Sequence, residues 1–503
     1  MNLVQHLPVL QVAVPLVSAP ICALLRSSER PAGMLQGRLA WAIACGVSWA
    51  MLVVAWLLFE AVRDGGPIVY ELGGWAPPWG IEYRVDTLNA LVLLVVSGIG
   101  AVTSTFARRT VEAEIHPDSL SLFYGAWMLC FTGLLGIAIT GDAFNLFVFL
   151  EISSLSSYVL IAMGNDRRAV AAAYQYLIMG TIGATFILIG IGLVYMMTGT
   201  LNMYDLAQRL PAVDHTRTVH AAFAFMIVGV SLKLAAFPLH LWLPNAYAYA
   251  PTAVSAFLAA TATKVALYAM LRFAFSVFGP DYALHQLAFQ HILLPLSVAA
   301  ILVASLVAIF QANAKRILAY SSVAQIGYMT LGISLASVGG VTATIVHLFN
   351  HAIIKGSLFL ALGCVMYRVG SVRLDRMAGL GREMPWTMAA FVVGGLSLVG
   401  IPLTAGFISK WYLVLAAVER GWWPVVAVIV VASLMAAIYV WRVIETAYLK
   451  PRPGDRDPVA EAPAAMLVPT WILLAANLYF GIDTSIPVGA AAHAARQLLG
   501  GGP

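Results

Sequence analysis

The chain has 503 residues, 61% of them hydrophobic and 10% charged, with a formal net charge of +5 and a mean hydropathy of +0.88. A soluble domain is typically about a quarter charged, so this composition excludes an ordinary water-soluble enzyme, and its apolar content excludes a disordered chain. The excess of 28 Lys and Arg over 23 Asp and Glu reports loops on one side of a membrane rather than contact with nucleic acid.

Hydropathy divides the chain into fourteen predicted spans, near 8–25, 39–62, 86–107, 119–140, 143–163, 170–198, 219–243, 252–278, 287–311, 315–336, 340–367, 384–418, 422–449 and 464–482. The N-terminus has no basic residue before Arg26, so it reads as a retained first span rather than a cleaved signal. The segment from Arg63 to Arg84 is rich in Gly, Pro and Trp and predicts an interfacial hairpin, with Trp75 and Trp79 suited to the headgroup level. Asp142 lies between the fourth and fifth spans and is the best spare candidate for a cation ligand, and Glu151 sits inside the fifth span. Gly190 and Gly192 form a GxG inside the sixth span with no soluble helix after it, which rejects a dinucleotide fingerprint. Tyr204 to Leu210 predicts a short interfacial helix.

Lys233 in the seventh span precedes Pro238, and Lys410 in the twelfth follows Pro402. Proline removes an N–H and frees a carbonyl, so both spans are predicted to break near mid-membrane. Lys264 lies inside the eighth span. Arg272, nearer the end of that span, and Arg442, three residues before Glu445 in the thirteenth, read as structural. In the eleventh span His347, His351 and Lys355 follow at i, i+4 and i+8, which aligns them on one helix face over about 12 Å. A central Lys, Arg or Asp costs about 2.5–3.5 kcal/mol on insertion, so Glu151, Lys233, Lys264, Lys355 and Lys410 imply a polar layer across the bundle. The two histidines and the lysine suit proton hopping better than metal binding, since no nearby acid or cysteine completes a ligand set. Cys22, Cys45, Cys130 and Cys364 lie in apolar runs with no CxxC and read as small buried hydrophobes. Neither a metal nor a cofactor is expected.

Loops after odd-numbered spans hold 16 Lys and Arg, and those after even-numbered spans, with the C-terminal tail, hold 6. The positive-inside rule then predicts odd loops in the cytoplasm and both termini outside. Spans four to eight (119–278) and nine to thirteen (287–449) each hold five helices with the broken one fourth. Five is odd, so the two units enter from opposite sides and form inverted repeats. They are flanked by residues 1–118, holding spans one to three, and by the last span at 464–482. The expected fold is therefore an all-α integral membrane protein of about fourteen transmembrane helices, with two inverted five-helix repeats and breaks in helices 7 and 12.

At NLFVFLEISSLSSYVLIAMG (145–164), LKLAAFPLHLWLPNAYAYAPTAVSAFLAATATK (232–264), KRILAYSSVAQIGYM (315–329), HLFNHAIIKGSLFLALG (347–363) and GIPLTAGFISKW (400–411) the chain resembles the antiporter-like family. That family is shared by Mrp-type cation/proton antiporters and the proton-pumping membrane subunits of respiratory complex I. The resemblance implies a hydrated proton-transfer chain Glu151–Lys233–Lys264–His347/His351–Lys410 lying roughly parallel to the membrane. In it Glu151 pairs with Lys233, Lys264 is central, His347, His351 and Lys355 form a relay, and Lys410 exchanges protons with one side. Burial favours the neutral amine and a nearby carboxylate favours the ammonium, which is the switch such a chain needs.

Lys410 stands where the middle complex I member carries Glu, and about 20 residues follow Ile482 where the largest members extend into a lateral helix. SSYVLIAMG and TGTLNMYDLAQRL look more like the D-type subunit of the Mrp antiporters than the N-type subunit of complex I. The resemblance thus implies a proton-translocating subunit of a multi-subunit Na⁺ or K⁺/proton antiporter in a bacterial inner membrane. Its partners would be other membrane subunits, protons, monovalent cations and lipid, and it would be a transporter subunit rather than an enzyme. The alternative is a non-redox, proton-pumping subunit of a complex I-like NADH–quinone oxidoreductase or membrane-bound hydrogenase.

Overall fold

The protein is described by a computed structural model covering residues 3–26, 30–452 and 457–500. The chain opens with α1 (Leu3–Leu24) and α2 (Arg30–Gly65), turns through an antiparallel hairpin of β1 (Ile68–Glu71) and β2 (Glu82–Val85), and enters α3 (Thr87–Glu114). Then come α4 (Leu120–Ile139), α5 (Ala143–Ala162), α6 (Arg167–Thr198), the short α7 (Met203–Arg209), α8 (Arg217–Leu234), α9 (Leu243–Tyr249) and α10 (Thr252–Leu271). The second half runs through α11 (Phe289–Ile309), α12 (Ala314–Ser334), α13 (Val338–Val369), the single turn α14 (Leu380–Glu383), α15 (Pro385–Val399), α16 (Ala405–Glu419) and α17 (Trp423–Tyr448). Two last helices, α18 (Ala464–Ile482) and α19 (Ser485–Leu498), close the described chain. The hairpin carries Trp75 and Trp79 in its exposed turn, and α7 overlaps the segment from Tyr204 to Leu210 predicted as a short interfacial helix, starting and ending one residue earlier.

Twelve helices among the described residues are long and apolar enough to cross a membrane. The count departs from fourteen at two places. One is α12, which carries Lys315, Arg316, Gln325 and three serines and is sheathed by protein, so it need not be apolar. The other is the twelfth predicted span, which divides into α15 and α16, each of 15 residues. Its partner break lies in the seventh span, where α8 stops at Leu234 and the chain runs non-helically to Trp242 before α9. Pro238 and Pro402 both sit in these unwound stretches. Ala235 takes a left-handed turn (φ 57°) to leave α8, and Gly400 (φ 95°) does the same after α15. The indole of Trp242 donates to the freed Leu232 carbonyl at 2.9 Å, satisfying a helix end that lipid could not.

Burial is heavy at the centre of the bundle. Every residue of α10 except Ala262 is buried, and α13 is buried without interruption from Gly340 to Val365. These two pack against each other and are enclosed by α3, α4, α8, α12, α15, α16 and α18. Lipid-facing positions fall instead on α1, α2, α6, α11 and α17, whose apolar side chains point outward, among them Trp56, Ile189, Leu306 and Val430. Close approach of α6 and α8 rests on two glycines: a Cβ on Gly229 would lie 2.5 Å from the Gly183 carbonyl oxygen.

The loops start helices with side-chain caps. Asp86 accepts from the amides of Leu88 and Asn89, and Asn89 returns a bond from the Asp86 amide at 2.6 Å. Asp166, Asn202, Asn313 and Ser337 cap α6, α7, α12 and α13 in the same manner. Both Asp86 carboxylate oxygens also accept from the one Nη2 of Arg272 at 2.5 Å, which gives Arg272 a structural partner beyond the end of its span. Arg442, in contrast, donates to the Gln311 carbonyl at 3.2 Å, and Glu445 pairs with Lys450 at 3.6 Å, so the expected Arg442–Glu445 pair is replaced by contacts outside the helix.

The sequence reading stops at Ile482 and misses α19. Its buried residues Pro487, Ala490, Ala491, Ala494, Ala495 and Leu498 recur at three- and four-residue spacing, the signature of an amphipathic helix. They pack on α3 and α13.

Breaking one partner of a desolvated ion pair leaves a charge without compensation, at a cost of about 3–5 kcal/mol. Asp86→Ala, which also removes the cap of α3, is expected to lower the thermal unfolding temperature in detergent markedly. Asp86→Ala combined with Arg272→Met is expected to recover part of the loss in the same melting experiment.

Candidate functional site

Glu151 and Lys233 come from helices far apart in sequence and meet at the edge of the bundle. The Lys233 ammonium nitrogen lies 3.3 Å from Glu151 Oε1 and donates to Ser154 Oγ at 2.8 Å. Lys233 is 5% exposed and Glu151 25%, so the acid sits at the more open end of the pair. Lys233 also lines a cavity of about 30 Å³, the volume of about one water, which Ala262, Val265 and Ala266 of α10 line as well. These residues flank Lys264.

Lys264 is fully buried and has no carboxylate partner among the described residues. Its ammonium nitrogen donates to the Ala259 carbonyl at 2.5 Å and lies 3.4 Å from Thr263 Oγ1. Packing of α10 on α13 puts it within electrostatic reach of His347, His351 and Lys355. The two imidazoles stack with centroids 5.7 Å apart and planes 8° from parallel. His347 Nδ1 is hydrogen-bonded to Ser409 Oγ at 2.7 Å, while neither nitrogen of His351 has a protein partner among the described residues.

Lys410, the residue after Ser409, reaches back across the break in its own span. Its nitrogen donates to the carbonyls of Leu398 (3.1 Å) and Val399 (2.8 Å) and to Ser433 Oγ of α17 (3.1 Å), and sits 5.0 Å from the centre of the Tyr328 ring. The last carbonyls of α15 carry the negative end of a helix dipole, a natural seat for an ammonium. The break is stitched from outside by Asn477 of α18, whose Oδ1 accepts from Ser397 Oγ (2.8 Å) and from the Ala405 amide (3.2 Å).

Lys355 departs from the ladder that its spacing predicts. Although it shares a helix face with the histidines, its ammonium turns to α12, donating to the Leu318 carbonyl at 2.6 Å and to Ser321 Oγ. Asp142, the spare cation candidate, caps α5 by accepting from the Asn145 amide at 2.7 Å, which accounts for a carboxylate at that position.

The sequence reading misses the neutral groups that hold the site together. Ser154 follows Glu151 by three residues, so helix-face reasoning could have found it, whereas Ser409, which bonds His347, stands next to Lys410 and off its face. Asn477 is the only amide in α18 and stands out there as an anomaly. Ser321 and Ser433 carry no such signal, because their relevance depends on which helices become neighbours. Lys315 counts among the loop charges by sequence, yet only 3% of it is exposed.

Residues 140–436 match the family described as NADH:quinone oxidoreductase/Mrp antiporter, transmembrane. The chain is 43% identical over 485 residues to the N-type subunit of the NADH-quinone oxidoreductase of Desulforudis audaxviator, covering 93% of this chain and 94% of that one. It is 30% identical over 432 residues to the D-type subunit of the Na(+)/H(+) antiporter of Alkalihalophilus pseudofirmus, covering 86% of each. Among solved structures, a chain of the Mrp complex from Dietzia sp. superposes with a TM-score of 0.89 at 29% identity, covering 99% of this chain and 98% of that one.

Replacing Asn477 by Leu removes the acceptor shared by Ser397 and Ala405, at about 1–3 kcal/mol for each donor left unpaired. Amide hydrogen exchange from Ala405 to Lys410, read by mass spectrometry in detergent, is expected to accelerate by about tenfold or more. Exchange in α10 is expected to stay unchanged.

Proposed function

Since the chain belongs to the NADH:quinone oxidoreductase/Mrp antiporter transmembrane family, we propose that it is the proton-translocating membrane subunit of a multi-subunit monovalent-cation/proton antiporter. The observation that carries this reading is the series of buried amines and imidazoles running from the Lys233–Glu151 pair, through Lys264 and the stacked His347 and His351, to Lys410. Only its first member faces a carboxylate at ion-pair distance among the described residues. Lys264 and Lys410 rest on carbonyls and hydroxyls, which hold an ammonium without cancelling its charge.

In this reading Lys233 is the switch. Near Glu151 its ammonium form is favoured; when the carboxylate withdraws, burial favours the neutral amine and the proton passes toward Lys264. Lys264 hands it to the imidazoles, which can accept at one nitrogen while donating from the other. His347 connects through Ser409 to the neighbourhood of Lys410, the terminal exchange residue. Residues 1–118 supply the first three spans, 119–278 and 287–449 the two inverted repeats, and 464–482 the last long span. The protein lies in a bacterial cell membrane with both termini outside, a placement supported by the 16-to-6 division of Lys and Arg between the two sets of loops. Its partners are other membrane subunits, and the exchanged cation is Na⁺ or K⁺.

A second reading, a proton-pumping subunit of a redox-driven respiratory complex, is favoured by the 43% identity to an N-type subunit. The proton chain is the same in both; the driving partner differs.

With the whole operon expressed, Lys264→Ala is expected to slow dissipation of a pH gradient by added Na⁺ or K⁺ by at least about tenfold in inverted vesicles. Glu151→Gln, which keeps shape but removes the charge, is expected to give a smaller loss. Full exchange by Lys264→Ala would remove the proton chain from the account. Wild-type vesicles that ignore both cations yet acidify when given an electron donor would establish the redox-driven reading.

A further inference from the structure

Lys355 and Lys315 are buried amines that the axis from Glu151 to Lys410 leaves unused. Both belong to one region. Lys355 sends its ammonium to the Leu318 carbonyl and Ser321 Oγ, and Leu318 is three residues along α12 from Lys315, a rise of about 4.5 Å. The same carbonyl also accepts from Ser321 Oγ (2.8 Å) and Ser322 Oγ (3.0 Å), which lie on the side of Leu318 away from Lys315, so the hydroxyls cluster at the Lys355 end. Lys315 itself is held loosely: its nitrogen lies 3.5 Å from the Ala250 carbonyl, with no carboxylate at ion-pair distance among the described residues.

Beyond Lys315 is a cavity of about 440 Å³ at the end of the bundle rich in arginine and lysine. The charged groups around it are Glu114 of α3, Asp166 and Arg168 at the start of α6, Arg316 of α12, and Arg373 after α13. Most are already engaged. Arg168 pairs with Asp166 at 2.6 Å, Arg316 donates to Asn245 and Gln311, Arg373 pairs with Asp375, and Glu114 accepts from the Thr252 amide at 2.7 Å. Lys315 is the buried, weakly bonded charge that lines the cavity, about one turn of α12 from the carbonyl that seats Lys355.

We propose that this cavity is a proton vestibule and that Lys315 carries protons between its water and Lys355, giving the axis a side branch to the face rich in arginine and lysine. The inference rests on the proton-transfer reading above. In one transfer the Lys355 ammonium releases a proton to water, which passes it about one turn along α12 to the neutral Lys315 amine. The Lys315 ammonium then gives its proton to cavity water as hydronium, and uptake runs the same steps in reverse. No bond other than N–H and O–H changes. A fixed positive charge cannot do this, which separates the proposal from a site that merely binds an anionic headgroup.

The test uses the complete assembly in inverted vesicles, scoring cation-driven proton flux per assembled complex with Lys264→Ala as the reference loss. Lys315→Ala and Lys315→Arg are both expected to lose at least about tenfold, because Arg stays protonated. Lys315→His is expected to restore at least a third of the wild-type flux, with its optimum moved to lower pH. Wild-type flux in Lys315→Ala or Lys315→Arg, or no recovery in an assembled Lys315→His, would overturn the proposal. A second measurement leaves Lys315 in place: Ser371→Cys, on the cavity wall, is labelled with a bulky impermeant maleimide from the arginine-rich side. Flux is expected to fall at least fivefold, and unchanged flux after complete labelling would also overturn the proposal. If Lys264→Ala retains full flux, the proton-transfer reading itself fails; if only the Lys315 results fail, the branch alone is withdrawn.

Discussion

The structure is organised around one constraint: several ammonium groups must be kept inside a bilayer-spanning bundle with, among the described residues, one carboxylate at ion-pair distance. Each central lysine costs about 2.5–3.5 kcal/mol to insert, and more if exposed to lipid. The chain answers with enclosure. The helices that carry Lys264 and Lys355 are largely buried, wrapped by others that meet lipid with Val, Leu, Ile and Trp. The same constraint explains why α12 is too polar to register as a span by hydropathy, since it lines this interior rather than the membrane.

Enclosure alone would leave the amines without hydrogen-bond acceptors. Three lysines take main-chain carbonyls: Ala259 for Lys264, Leu318 for Lys355, and Leu398 with Val399 for Lys410. At Lys410 the acceptors exist because the span is broken, so Pro402 and Gly400 create the seat that the lysine occupies. A carboxylate at each position would bind the proton too firmly to release it, whereas carbonyls and serine hydroxyls favour the ammonium more modestly. Lys233, which does face a carboxylate, has it at the edge of the bundle, where Glu151 is a quarter exposed and free to respond to a neighbour.

Much of this is legible in the sequence because the signals are strong against an apolar background. A lysine in a hydrophobic run stands out, proline beside it marks an interruption, and i, i+4, i+8 spacing fixes a helix face. What spacing cannot fix is where a long side chain turns. Lys355 shares a face with His347 and His351, yet four methylenes carry its charge to α12. Lys315 looks like a loop charge because it begins a span, and its burial follows from α9, α10 and the loop after α13 closing over it. The pairing of Arg442 fails for the same reason, since a carbonyl in the loop after α11 competes with Glu445. Helix α19 escapes notice because alanines at three- and four-residue spacing make a weak hydropathy signal.

The central claim is that the buried groups act in series, as one path. Lys233 and Lys410 stand near its two ends, so the most direct measurement is a double-mutant cycle on cation-driven proton flux with Lys233→Ala and Lys410→Ala. A series path predicts that each single change removes most of the flux and that the double variant is no slower than the worse of the two. Losses that multiply, with the double variant slower by the product of the single effects, would contradict it.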